Sequence, residues 1–233
     1  MRLNKFIAQS GECSRRQADS YVLEGMVTVN GTLQLNPAYQ VSESDEVRFD
    51  GRRIYPEHKI RTILLNKPEG YITTMKDPQG RKTVIDLINS SERLFPIGRL
   101  DKDTSGLLLL TNNGNLANLL MHPRNKIERI YELELDTPFE SWEKRKIMKK
   151  VYIGQKEWGR AEVIHQKKIK GRAIVQLKLL QGKKREVRRI VYRMKKTLYS
   201  LKRVQFGPIK LDNTPLGSFR DLSENELIKL QNM

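Results

Sequence analysis

Gly98-Arg99-Leu100-Asp101-Lys102-Asp103-Thr104-Ser105-Gly106 is the stretch that orders the rest of the chain. Two glycines bracket a run of small, polar and charged residues, and Leu107-Leu108-Leu109-Leu110 follows at once. The pattern predicts a loop feeding a buried strand. Such a loop holds its side chains in fixed directions because a rigid element anchors it. Asp101 stands beside Arg99 and Lys102, cationic neighbours that would keep it ionised and available as a nucleophile or base. On these residues alone, an aspartate that merely folds back on its own backbone in a turn is the competing reading.

Downstream of the loop, Asn113-Gly114 turns the chain into a helix from Leu116 to Met121, which Pro123 terminates. Residues Arg129 to Leu135 alternate polar and apolar, predicting a half-buried strand with Tyr131 on the Leu133 and Leu135 face, as a core tyrosine would be. Residues Phe139 to Lys150 read as a helix with Phe139, Trp142 and Ile147 inward. Strands are expected around Ala161 to Ile164 and from Arg172 to Leu180, turning near Gly171. Gly182 opens the run Lys183-Lys184-Arg185-Glu186-Val187-Arg188-Arg189. In it Val187, Ile190, Val191 and Met194 fall at i, i+3, i+4 and i+7, predicting an amphipathic helix with a cationic outer face. Ser223 to Glu226 forms a capping box for a terminal helix.

Upstream, Leu3, Phe6 and Ile7 mark a short helix ended by Gly11. Ser14 and Gln17 cap a second helix that stops at Gly25. Asn30-Gly31 between Val27-Thr28-Val29 and Thr32-Leu33 predicts a tight hairpin, and Val47 and Phe49 a further strand. The polar run from Gly51 to Lys59, with Pro56, reads as a linker, dividing the chain into residues 1–58 and 59–233. Ile60 to Leu65 then reads as a strand into a turn at Asn66-Lys67-Pro68-Glu69-Gly70, returning through Tyr71-Ile72. Lys67 faces either RNA or solvent in that reading.

The chain has 233 residues, 44 Lys and Arg against 27 Asp and Glu, a net charge of +17 and a pI near 10.0. That is the electrostatic footprint of a polyanion binder, with nucleic acid the leading partner. No apolar run reaches the roughly 18 to 20 residues of a spanning helix, and no signal-type segment opens the chain. A single cysteine, Cys13, excludes a disulfide framework and a thiolate zinc site and fits a reducing cytoplasm. His58, His122 and His165 show no metal-ligand spacing. Neither a metal nor a cofactor is expected, nor a membrane partner, and a monomer is the default.

Gly98-Arg99-Leu100-Asp101, with Thr104, Gly106 and the apolar strand after it, resembles the signature loop of RNA pseudouridine synthases of the RsuA-type ribosomal RNA branch. The resemblance implies an α+β fold, a mainly antiparallel mixed sheet with flanking helices, and Asp101 as the catalytic carboxylate. Arg129-x-Tyr131 after His122-Pro123 is similar to the family's Arg-x-Tyr, which implies that Tyr131 stacks on the target base. Gly182-Lys183-Lys184-Arg185-Glu186-Val187-Arg188-Arg189 resembles its third motif, implying that Arg188 pairs with the catalytic aspartate, with Glu186 where many relatives have Gln. Leu201 to Pro208 is similar to its closing motif, which places Leu201 beside Arg99 among the residues lining the substrate site.

The first 58 residues resemble the small RNA-binding domain shared with ribosomal protein S-four. Lys5, Arg15 and Arg16 would meet phosphates there, as Lys183, Lys184 and Arg185 would in the larger domain. Together these resemblances imply a cofactor-free ribosomal RNA uridine isomerase whose partner is ribosomal RNA or an assembly intermediate, the large subunit favoured. A non-catalytic RNA-binding or ribosome-assembly factor on the same fold is the alternative. A DNA-binding protein is a third class, and no recognisable major-groove helix motif supports it.

Overall fold

The computed structural model describes residues 1–57 and 59–233. His58, the residue at the expected domain boundary and one of the three histidines in the chain, lies outside the described residues. Contacts divide the chain into two compact units, Met1–Arg61 with Ser91–Arg93, and Thr62–Ser90 with Leu94–Met233. Among the described residues no helix is long and apolar enough to cross a membrane.

In the first unit, α1 (Leu3–Gln9) buries Leu3, Phe6 and Ile7 on one face. α2 (Arg15–Leu23) starts where the Gln17 N–H donates to Ser14 Oγ and the Ser14 N–H donates to Gln17 Oε1. β1 (Val27–Val29) and β2 (Thr32–Leu33) are joined by Asn30 and Gly31, both left-handed with φ of 51° and 78°, as a tight hairpin requires. β3 (Val47–Phe49) continues into β4 (Arg52–Arg53), giving the order β2-β1-β3-β4. β4 and the buried Ile54 lie within the stretch read as linker. The overlooked signal is Asp50-Gly51, again left-handed at both positions, a second hairpin turn.

The second unit is built on one large mixed sheet. Its first members are β5 (Thr62–Lys67), β6 (Phe95–Pro96) and β7 (Ser105–Thr111), with α3 (Gly114–Met121) and β8 (Arg129–Leu135) after them. Next come α4 (Ser141–Lys149), a hairpin of β9 (Val151–Gly154) and β10 (Glu157–Gly159), then β11 (Glu162–Ile169) and β12 (Arg172–Leu179). α5 (Glu186–Arg193), β13 (Leu198–Phe206), β14 (Ile209–Lys210), β15 (Phe219–Asp221) and α6 (Glu224–Gln231) complete it. The sheet order is β11-β12-β8-β13-β7-β5-β15, with β6 paired to β7 and β14 to β13. The β13–β7 pair is parallel and its neighbours are antiparallel.

The four leucines after the loop are buried on both faces of this sheet. Leu107 and Leu109 pack with α3 and α6 residues such as Leu116, Leu120 and Leu230, while Leu108 and Leu110 pack with Val84, Leu94 and Leu100. The two-residue period of a strand sends alternate side chains to opposite faces, so a continuous apolar run marks a strand covered on both sides. A third cluster lies between β8, β12, α4 and α5, around Leu133, Val175, Phe139 and Ile190.

Several sequence expectations are corrected by the fold. β5 runs to Lys67 and its partners are β7 and β15. Tyr71-Ile72 forms no returning strand, and Ile72 makes only an isolated parallel bridge with Thr83. Trp142 points outward; α4 buries Glu143 and Ile147, and Glu143 pairs with Lys196 at 3.1 Å. β9 and β10 went unforeseen because their turn is Gln155-Lys156, left-handed at both positions without a glycine or asparagine to announce it. Residues Lys183 to Arg185 precede α5 instead of lying on it, and Arg185 itself is left-handed at φ 51°.

Candidate active site

The Asp101 loop enters β7 at its start, where β7 runs parallel to β13 with Gly106 opposite Arg203. Gly106 has φ of 101°, and a Cβ there would lie 2.2 Å from the Arg203 carbonyl oxygen. Only glycine permits this approach of two backbones. The loop backbone is held from beneath by a residue that sequence reasoning placed in solvent or against RNA. Lys67 is fully buried, and its Nζ donates to the carbonyls of Asp101 at 3.0 Å, Thr104 at 2.8 Å and Pro68 at 3.0 Å. Burial pulls its pKa down to about 8, with Glu69, Asp103 and Asp101 acting in the opposite direction. Thr73 adds a hydroxyl that donates to Leu100 O at 2.7 Å and accepts from Leu100 N at 3.2 Å. Gly70 N–H donates to Lys102 O at 2.8 Å. The Asp101 backbone is thus fixed while its carboxylate, 38% exposed, stays open.

The cation nearest that carboxylate is neither Arg99 nor Lys102. Arg185 Nη1 stands 3.6 Å from Asp101 Oδ2, and the same guanidinium donates to both oxygens of Asp103 at 3.1 and 3.2 Å. Arg188, expected to pair with Asp101, instead places Nη2 on the Asp103 carbonyl, 3.2 Å from Asp103 Oδ2 and 3.4 Å from Thr104 Oγ1. Partial burial raises the Asp103 pKa, but the Arg185 hydrogen bonds and the Arg188 charge outweigh it and hold the carboxyl below its usual range. The two arginines are brought to the loop by Glu186, which is buried and therefore has a raised pKa. Its carboxylate accepts from Lys183 N at 3.0 Å, Arg160 N at 3.3 Å and Gln181 Nε2 at 2.7 Å, and so shapes the turn that presents Arg185.

A cavity of about 680 Å³ opens here, lined by Asp101 and Arg99 from the loop, Tyr131 from β8, Arg188 from α5, and Leu201 and Arg203 from β13. Lys183, Lys184 and Arg185 form another part of its wall. All the expected residues of the larger unit therefore converge on one space. Lys5, Arg15 and Arg16 belong to the first unit, where Arg15 and Arg16 are exposed on α2. Tyr131 is only partly buried and packs against two of the hydrophobic clusters, so it is both a core residue and a wall of the cavity. Arg203 lies in the closing motif expected to line the site, though only Leu201 is singled out there. Arg203 is almost fully buried, with Nε donating to Leu107 O at 2.7 Å, and its guanidinium and that of Arg129 both lie over the Phe206 ring, at 5.1 and 5.2 Å from its centroid. Burial, then the Arg203 charge, lowers the Arg129 pKa.

Among the described residues, four buried polar side-chain atoms have no hydrogen-bond partner, and two of them, Arg188 Nε and Arg203 Nη2, belong to this cavity's lining. Buried donors left unmade are costly in a finished core. No group of three or more His, Cys, Asp or Glu residues among the described residues is arranged to hold a metal ion.

A carboxylate on a rigid loop, an aromatic wall and a cationic rim fit a nucleotide, and comparison with known proteins decides the family. Residues 61–192 match the family described as RNA pseudouridylate synthase, and residues 1–47 match the S4 domain. The chain belongs to the RNA pseudouridine synthases. The dual-specificity RNA pseudouridine synthase RluF of Escherichia coli strain K12 is 37% identical over 99% of this chain and 78% of that protein. The ribosomal large subunit pseudouridine synthase B of Bacillus subtilis strain 168 is 36% identical over 99% of this chain and 95% of its own length. A crystal structure of a pseudouridylate synthase superposes with a TM-score of 0.69 at 26% identity, covering 99% of both chains. This synthase is therefore an isomerase of the RluB, RluF and RsuA branch with an N-terminal S4 RNA-binding domain.

Proposed function

We propose that this synthase converts a uridine of ribosomal RNA, in the large subunit by preference, to pseudouridine in the cytoplasm, with Asp101 as the catalytic carboxylate. The observation that carries the reading is the open Asp101 carboxylate on a backbone held by Lys67 and Thr73, facing the cavity that Tyr131 also lines. The large-subunit preference is supported by the likeness to the Bacillus subtilis large-subunit enzyme.

The reaction breaks the N-glycosidic bond, turns the base and rejoins it to the sugar through carbon five. The target base must first leave its helix, at a cost of a few kcal/mol. Stacking on Tyr131 returns about 1 to 3 kcal/mol of that. Asp101 attacks carbon 1′, or carbon six of the base, or removes a sugar proton. Arg185 at 3.6 Å supplies opposite charge to it in every case. Arg188 holds Asp103 and Thr104 through Nη2 and so fixes the loop beside Asp101. Arg99 and Leu201 line the cavity into which the base would enter.

Asp101→Asn keeps the shape and removes the charge. Tritium release from RNA labelled at uridine carbon five is expected to fall at least about a thousandfold, in the range of a lost catalytic acid or base, while RNA binding persists. Undiminished release by this variant overturns the role of Asp101. Mapping chemically labelled pseudouridines in ribosomal RNA from cells with and without the gene identifies the target; an unchanged map overturns the ribosomal substrate.

A further inference from the structure

The hairpin of β9 and β10 carries a feature that the cavity does not use. Val151, Ile153 and Gly159 face inward, and the strand period turns Tyr152 and Trp158 out to solvent, 43% and 47% exposed. The two are cross-strand partners, with ring centroids 5.4 Å apart and planes at 64°. Cations surround them. Lys150 Nζ lies 4.9 Å from the Trp158 ring centroid and the Arg193 guanidinium 5.6 Å from that of Tyr152, while Lys183 Nζ donates to Trp158 O at 2.6 Å. The acid on the same hairpin, Glu157, is already paired with Arg189 at 2.5 Å.

The platform is rigid and joined to the cavity. Arg189 also donates to Ile153 O at 2.7 Å and Gly154 O at 2.6 Å, which ties the hairpin to α5. Arg185, beside Asp101, immediately precedes α5, which ends at Arg193, beside Tyr152. Eight residues of helix span roughly 12 Å, about three to four nucleotides at the rise per nucleotide of a stacked strand. Lys183 lines the cavity with its neighbours and holds the Trp158 backbone, so the cationic wall is continuous between the two. Exposed rings set among uncompensated cations suit a ligand with flat π faces and a polyanionic backbone, which is single-stranded nucleic acid.

We propose that Tyr152 and Trp158 form a stacking platform for an unpaired nucleotide of the RNA substrate, a few positions from the target uridine, with Lys150 and Arg193 on the adjoining phosphates. The proposal rests on the reading of the Asp101 cavity as the uridine site, but its test does not require turnover.

The chain has two tryptophans, so Trp142→Phe leaves Trp158 as the only one. With Asp101→Asn added, this protein is titrated with an RNA stem-loop whose loop contains one uridine, and with the same stem as a blunt duplex. Trp158 emission is expected to be quenched saturably by the stem-loop and not by the duplex. Trp158→Ala weakens stem-loop binding about tenfold, the scale of one lost base stack, and Trp158→Phe restores it to within about twofold. Emission unchanged at saturating stem-loop overturns the platform, as it would for a patch built to dock a protein. So does a folded Trp158→Ala variant, judged by circular dichroism, that binds like its parent. Quenching with full activity in the Asp101→Asn variant would instead overturn the catalytic assignment and leave the platform standing.

Discussion

Lys67 and Arg185 both hold the loop that carries Asp101, yet one is sealed from water and the other is 43% exposed. Lys67 addresses backbone carbonyls, where no solvent competes and a missing donor leaves buried acceptors unsatisfied. Arg185 addresses carboxylates at the rim of the cavity, where water and salt screen the attraction and an RNA phosphate can take it over. The buried cation decides where the loop sits. The exposed one decides what charge the loop meets. A strongly basic composition thus conceals two different uses of positive charge.

The buried side should be the more sensitive, and Gly106→Ala tests it hardest. The added methyl meets the Arg203 carbonyl oxygen and nitrogen at 2.2 and 2.7 Å on a residue with φ of 101°. Overpacking and left-handed strain together are expected to remove about 3 kcal/mol or more of stability, read by urea unfolding of the variant. Stability equal to the parent would mean that the parallel β7–β13 contact is not rigid.

Lys67→Met comes next. It keeps the bulk of the side chain, removes the charge and leaves three carbonyls without their donor. Activity is expected to drop about a hundredfold through misplacement of Asp101. The pH dependence separates this from simple unfolding. The native pKa of about 8 lies below the ordinary 10.5, so between those values the unfolded chain holds a proton that the native one has lost. Wild-type stability should therefore carry a contribution that rises with pH across that window, by about 3 kcal/mol, while below pH 8 the burial penalty is present in full. A Lys67→Met protein whose stability shows the same rise would assign it to another group.

The smallest effects are expected on the open side. Arg185→Ala should change stability by less than about 1 kcal/mol and activity by no more than about fivefold, with the difference shrinking as salt is added. Arg188→Ala should cost more, about tenfold or above, because it removes charge-assisted bonds from a site only 19% exposed. Equal losses for the two variants would erase the distinction between the rim and the interior.

Local patterns were legible where one residue type has one physical use. Asn30-Gly31 required a left-handed turn, Ser14-x-x-Gln17 a capped helix, and the four leucines after Gly106 a strand buried on both faces. The reading failed where the partner lies far along the chain. Lys67 looked like a turn residue because nothing beside it shows that the carbonyls of Asp101 and Thr104 will close over it. Reading Trp142 with Phe139 and Ile147 on the inward face of a helix fails in the same way, because the side chain α4 buries there is Glu143, the partner of Lys196.

The candidate site divides the same way. Motif spelling was enough to name Asp101, Tyr131, Arg188 and Leu201, and all four line one cavity. It could not say which arginine faces which aspartate, since that depends on how Glu186 bends the turn before α5.

By itself, then, the sequence determined element types, the two-part organisation, the polyanion-seeking charge and the residues of the signature loop, because propensity, period and net charge are properties of neighbours or of sums. Only the tertiary structure decided that Lys67 is buried beneath Asp101, that Arg185 is the cation nearest its carboxylate, and that Tyr152 and Trp158 stand together on the surface. The first two are distances between residues remote in the chain, set by sheet order and packing, and the third rests on a hairpin whose turn carries no glycine or asparagine at its central positions, so no local pattern announces them.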